Sequence, residues 1–175
     1  MKWMMYKSGL LALALMMGTG AFAQDDAIGK FFGQYLDDSR FTVVSVSPKM
    51  FGLISNIKLD SASPDIQQTV RKLQSLRILS TEVTPRVFYK EALAKIDRTQ
   101  YEELITVRDK DDDTHFLVRE EGHTIHELLM ISVDANEFTL LSFVGDIDLA
   151  SLSKLSTDMN IKGMEHLKDA KKNKP

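Results

Sequence analysis

The chain has 175 residues, no cysteine, and 22 basic against 25 acidic side chains, giving a formal charge of −3. Without cysteine there are no disulfides, thiolate nucleophiles, Cys-ligated metals or lipid-modified N-terminal cysteine. The mildly acidic balance implies no basic face for nucleic acid. Recognisable catalytic motifs are missing too: there is no G-x-S-x-G turn and no glycine-rich phosphate loop after a strand.

Lys2 and Lys7 flank the start of the apolar run GLLALALMMG, which leads to Ala21-Phe22-Ala23 and then to Gln24-Asp25-Asp26. A basic start, a short apolar core and an A-x-A site make a secretory signal peptide. The core falls short of the about 20 apolar residues that a membrane span needs. Cleavage after Ala23 is expected, leaving 152 residues with a charge of −5, no transmembrane helix, and a periplasmic or secreted location. That length suits one domain able to bury about two-thirds of its unfolded surface. The expected division is a signal over 1–23, one domain over 24–160 and a basic, disordered tail over 161–175.

In chain order, Ile28, Phe31, Phe32, Tyr35 and Leu36 recur at helical spacing and predict a first helix, weakened by Gly29 and Gly33. Ser47-Pro48, Ser63-Pro64 and Thr84-Pro85 each place a capping hydroxyl before a proline and predict three helix starts. The first of these helices carries Met50, Phe51, Ile54 and Ile57; the second Ile66, Val70 and Leu73; the third Phe88, Ala92, Leu93 and Ile96. Phe41 to Val46 and Leu76 to Thr81 read as strands between them. After Asp97 the period becomes two. Tyr101 to Arg108, Thr114 to Glu120, Thr124 to Asp134 and Glu137 to Val144 predict four strands, joined by DKDDD, EGH and AN, and so antiparallel. In the third, Leu129, Ile131 and Val133 read as core, as do Met50, Phe51 and Phe88; the other face of that strand is nearly as apolar, which predicts cover on both sides. Gly145 and the aspartates after it should end the last strand and start a last helix at Asp146 or Asp148, carrying Leu149, Leu152 and Leu155. The fold class is α+β, a mainly antiparallel sheet with helices on at least one face.

Two ion-binding patterns can be weighed. Asp109, Asp111, Asp113 and Glu120 take positions one, three, five and twelve of a calcium loop, but the sixth position is Thr114 where glycine is required, and strands flank it instead of helices. A charged hairpin is the expectation, with a weak cation contact at its acidic tip as the alternative. His115, His123 and His126, close to Glu120, Glu121 and Glu127, resemble zinc ligands, yet residues three apart on a strand point to opposite faces. Surface histidines are therefore expected, and no cofactor is implied.

YKEALAKI, YEELITVRD, HFLVREEGHTIHELLMISV and NEFTLLSFVGDIDLASLSKL, between Tyr89 and Leu155, resemble a family of exported Bacteroidetes proteins, the domain of unknown function DUF4252. The most telling pieces are Ile125 to Leu129 and Gly145 to Leu149. The resemblance implies an envelope location, a small α+β domain and no catalytic or ligand residues. A family association with extracytoplasmic sigma factors would fit a regulatory or stress-linked role. The expected function is an exported, non-enzymatic binding or regulatory module with an envelope protein partner. The alternatives are a metal-dependent hydrolase using His115, His123 and His126, and a calcium-responsive domain.

Overall fold

The structure, a computed structural model, describes residue 29 and residues 33–56, 64–122, 124–150 and 152. The leader, Ile28, Phe31, Phe32, Ile57, Ser63, His123, Leu155 and the lysine-rich tail lie outside the described residues.

The change to period two after Asp97 is realised as a sheet. Strands β1 (Thr42–Val46), β2 (Leu73–Thr81), β3 (Glu102–Arg108), β4 (Asp113–Glu121), β5 (Thr124–Val133) and β6 (Phe138–Ile147) pair antiparallel in the order β1-β2-β6-β5-β4-β3. Short connections make β3-β4, β4-β5 and β5-β6 neighbours, and β2 then adds to the free side of β6. Helix α3 (Pro85–Lys95) packs on β5 and β6 from one face. Helices α1 (Pro48–Asn56) and α2 (Pro64–Lys72) pack on β2 and β6, and belong with the core of the other face.

The sheet thus separates two apolar layers. One holds Leu79, Leu117, Leu129, Ile131, Val133, Phe138 and Leu140 beneath Phe88, Tyr89 and Ala92 of α3. The other holds Leu76, Phe116, Val118, Leu128, Met130, Leu141 and Phe143 with Phe51 of α1 and Val70 of α2. Strand β5 sends Leu129, Ile131 and Val133 into the first layer and Leu128 and Met130 into the second, as its doubly apolar pattern predicts.

Several boundaries and faces depart from expectation. Leu73 is the first residue of β2, opposite Gly145, and not the last of a helix. The strand begins as soon as the helix ends because Gly145 lets the backbones close. Likewise β6 continues through Gly145 and Asp146 to Ile147, and helical turn begins only after Asp148. Thr84 lies at φ 45 and makes no side-chain cap; the available hydroxyl is that of Thr81, which accepts from Val83 N–H and donates to the Arg40 carbonyl. Ile96 terminates α3 as its C-cap. Met50 and Leu36, expected in apolar stripes, are half exposed.

The segment before β1 is fastened to α3 by rings. Tyr35 and Phe41 meet at 4.6 Å between centroids with their planes tilted by 34°, Phe88 meets both nearly edge-on, and the Tyr35 hydroxyl donates to Glu91 Oε1 at 2.8 Å. Burial and the adjoining Glu91 carboxylate push the Tyr35 hydroxyl up to about 12. A raised tyrosine favours the neutral form in the fold, so its contribution is intact below about pH 10, the ordinary value, and is lost as pH rises toward 12. Burial, followed by the Asp113 carboxylate, shifts Tyr89 upward as well. Unfolding midpoints measured between pH 9 and 12 are expected to fall steadily, and Tyr35→Phe should flatten that fall while leaving the neutral-pH midpoint within about 1 kcal/mol of wild type. An unchanged alkaline slope in the variant would remove Tyr35 from the account.

Candidate functional site

Two polar clusters lie on the sheet face that carries α3. The first is centred on His115 of β4, which is buried, contrary to the surface position expected for it. Tyr89 descends from α3 and places its hydroxyl 2.8 Å from Nε2; Glu103 Oε1 lies 3.0 Å from Nδ1, and Thr106 Oγ1 3.1 Å from the same nitrogen. A proton on Nδ1 satisfies the Glu103 carboxylate, which leaves Nε2 to accept from Tyr89 in the neutral ring. Asp113 Oδ1 sits 3.3 Å from Nε2, is buried, and has no hydrogen-bond donor. Its other oxygen pairs with Arg108 at 3.0 Å.

The second cluster is built on Glu127, which is fully buried in β5. Tyr101 O–H donates to Oε2 at 2.7 Å, Ser142 O–H donates to Oε1 at 3.0 Å, and the Arg119 guanidinium approaches Oε2 at 3.3 Å. Arg119 and Glu127 are direct cross-strand partners, and Ser142 comes from β6 on the other side. A carboxylate inside a sheet covered on both faces must be met by donors or it would cost several kcal/mol. Three elements supply them. Arg119 itself is shifted upward: its burial opposes the shift, while bonding to Tyr101 and the charge of Glu127 outweigh it.

The sequence-predicted site residues that lie among the described residues do not meet, and His123 lies outside them. Asp109 closes the β3-β4 turn, its Oδ1 accepting from Lys110 N–H and its own N–H donating to the Asp112 carbonyl. Asp111 is exposed, and its carbonyl accepts from Arg86. Asp113 turns inward to His115. Glu120 stands at the far end of β4, seven residues on, which at about 3.3 Å per residue is roughly 23 Å away. His126 has only long contacts, 3.8 Å to Glu121 and 3.8 Å to Asp146. Among the described residues no three His, Asp or Glu side chains gather as a metal-holding group. The hairpin reading of Asp109 to Glu120 holds, because flanking strands and not helices carry those residues.

A family model described as "Domain of unknown function (DUF4252)" matches residues 35–155. The chain belongs to this family. No curated protein and no solved structure matches it. Both clusters of the DUF4252 chain fall within the matched span.

Tyr101, Ser142, Tyr89 and Glu103 were not singled out as site residues by sequence alone, and Glu127 was weighed only as a neighbour of the zinc-like histidines. One signal was available: Glu127 interrupts IHELLMISV, a run apolar on both faces, and an ionised group there requires partners. Nothing local says that Tyr101 and Ser142 are those partners. A shallow depression of about 390 Å³ lies near the start of β3, lined in part by Arg98, Gln100, Tyr101, Glu102 and Glu120.

Apolar exposure, by contrast, is concentrated. Among the described residues six large apolar side chains are exposed: Leu36, Val44, Met50, Leu53, Val83 and Val87. Val44 is in β1; Leu36 leads into that strand; Met50 and Leu53 are on α1, which leads out of it; Val83 and Val87 follow its neighbour β2. None is on β3, β4, β5 or β6. Among the described residues no helix is long and apolar enough to cross a membrane.

Proposed function

We propose that this DUF4252 chain is an exported, non-enzymatic envelope protein that works as a binding module, contacting another protein through the β1 side of its sheet. The observation that carries the reading is that, among the described residues, every exposed large apolar side chain lies on β1, next to it in the chain, or just after its neighbour β2. Single exposed apolar residues are ordinary on a surface, but Val44, Met50 and Leu53, on β1 and on the helix that follows it, set several near one edge of the sheet, where partners dock. α1 supports the same reading: it buries Phe51 on one side and leaves Met50 and Leu53 half exposed on another. A short helix apolar on two sides is suited to cover on both.

Two further features agree with a binding role. The His115 ring and the Glu127 carboxylate are each held by hydrogen bonds to their own separate sets of neighbours, as structural polar groups are. The leader sequence around Ala21-Phe22-Ala23 directs the chain out of the cytoplasm.

The test is photo-crosslinking in intact cells from a reactive residue placed at Met50 or at Leu53, compared with one at exposed Thr106 on the opposite edge. Discrete adducts from the two α1 positions and none from Thr106 are expected, on protein whose N-terminus is Gln24. Equal or absent labelling from all three positions would defeat the assignment of the β1 side.

A further inference from the structure

The two edges of the sheet are unlike. β3 carries Glu102, Glu103 and Arg108, and its register is interrupted between Glu103 and Ile105. Charges and bulges of this kind prevent an edge from recruiting another strand. β1 reads TVVSV, without charge, proline or irregularity in its pairing with β2. Among the described residues no strand lies outside it. β-branched residues favour pairing, and the outward row of N–H and C=O groups is an open template.

We propose that two copies of the chain dock through β1, antiparallel about a two-fold axis at Val44, and so join their sheets into one. This rests on the reading of the β1 side as the contact surface and names its occupant. Three observations select a second copy. First, the strand suits itself: with Val44 opposite the partner's Val44, Thr42 faces the partner's Val46, an uncharged and β-branched match along the whole contact. Register of this kind preserves parity, so each face of one sheet continues the same face of the other. Second, the charges at the two ends are complementary. The segment 33–41 entering β1 carries Asp37, Asp38 and Arg40, a net −1, while the segment 47–52 leaving it carries Lys49, +1. Antiparallel docking sets each end against the partner's opposite end; parallel docking would set like against like. Third, α1 is the outermost helix on its face, beyond α2, so the two-fold axis brings the α1 helices of the two copies alongside each other, with Met50 and Leu53 exposed at 50% and 53%. An isologous contact buries such a patch twice.

The chain has no cysteine, so a single introduced thiol reports the register cleanly. Directly opposed residues of an antiparallel pair lie about 5 Å apart between Cα atoms, within disulfide reach. Val44→Cys in the full exported chain is expected to oxidise nearly completely to a covalent dimer under mild oxidant. Thr42→Cys, also exposed but four residues off its own counterpart and so about 13 Å away, should remain at least tenfold less crosslinked. By sedimentation at about 100 μM, wild type should have twice the mass of the chain, and Val44→Lys should be monomeric, since it sets two charges against each other at the axis. Because Val44 is 42% exposed, the lysine variant should keep the fold, checked by its circular dichroism spectrum. A monomeric wild type, equal crosslinking at both thiols, or a dimer indifferent to Val44→Lys would each overturn the proposal. If wild type is monomeric while Met50 and Leu53 still crosslink to another protein in cells, the second copy is wrong and the binding surface stands; if neither is seen, both fail.

Discussion

Glu127→Ala is expected to destabilise the fold by about 3 kcal/mol, the low end of what removing one partner of a buried ion pair costs. The low end applies because the Arg119 side chain is 31% exposed and can recover water when its partner is lost. Two further losses enter the same figure: Tyr101 and Ser142 each keep a hydroxyl with no carboxylate to bond. For a domain of this length the melting midpoint should drop by roughly 6–12 °C. A thermal melt followed by circular dichroism measures the midpoint, and urea unfolding the free-energy loss. Glu127→Gln keeps an acceptor for one hydroxyl and should lose about half as much. Replacing the pair together, Glu127→Leu with Arg119→Met, should recover much of the loss, because no charge is then left unmatched. A loss under about 1 kcal/mol for the alanine variant would mean that the carboxylate is not held as its geometry indicates.

A comparable loss is expected at a position with no side chain at all. Gly145 lies at φ 151, and a Cβ there would stand 2.4 Å from the Lys72 carbonyl oxygen and 2.9 Å from Leu73 Cα. Both obstacles are backbone, so no rotamer change relieves them. The contact joins the end of α2 and the first residue of β2 to β6, and any retreat has to open that junction. Gly145→Ala should therefore cost about 3 kcal/mol or more, the sum of a positive-φ penalty and a backbone clash. Gly122 supplies the comparison: it turns β4 into β5 at φ 66 with nothing near its missing Cβ. Alanine there bears the conformational penalty alone, about 1–2 kcal/mol. Equal unfolding midpoints for the two alanine variants would show that the close approach at Gly145 contributes nothing.

The family-level outcome agrees with the resemblance read from Tyr89 to Leu155, and extends it to Tyr35 at the N-terminal side. The elements after Asp97 were legible to within three residues, because period-two alternation and turns as short as residues 109–112 leave few ways to fold. The start of β2 was not. PDIQQTVRKL has a continuous helical pattern, and only the tertiary closeness of Gly145 shows that Leu73 has already become strand. For the candidate site the legibility was poorer. Asp109, Asp111, Asp113, Glu120 and His126 are near one another in the chain and far apart or differently engaged in space, while Tyr101, Glu127 and Ser142 are the reverse.

Met50 and His115 exchanged places relative to expectation for a related reason. Hydrophobicity predicts burial on average, but burial is a property of what lies opposite. The helix α3 happens to set Tyr89 over His115, and nothing among the packed elements closes over Met50.

The sequence by itself determined the local rhythm: which stretches are strand or helix, where the hairpins turn, that β5 is apolar toward both faces, and which family the chain resembles. Those follow from spacing along the backbone, which repeats every few residues and is carried by the chain locally. Only the tertiary structure decided that β2 lies beside β6, that β1 is left as an uncharged edge, and that Glu127 is matched by a tyrosine, a serine and an arginine from three different segments. Such partners are separated by 8 to 26 residues in the chain, and their meeting depends on the packing free energy of the whole sheet, which no local pattern encodes.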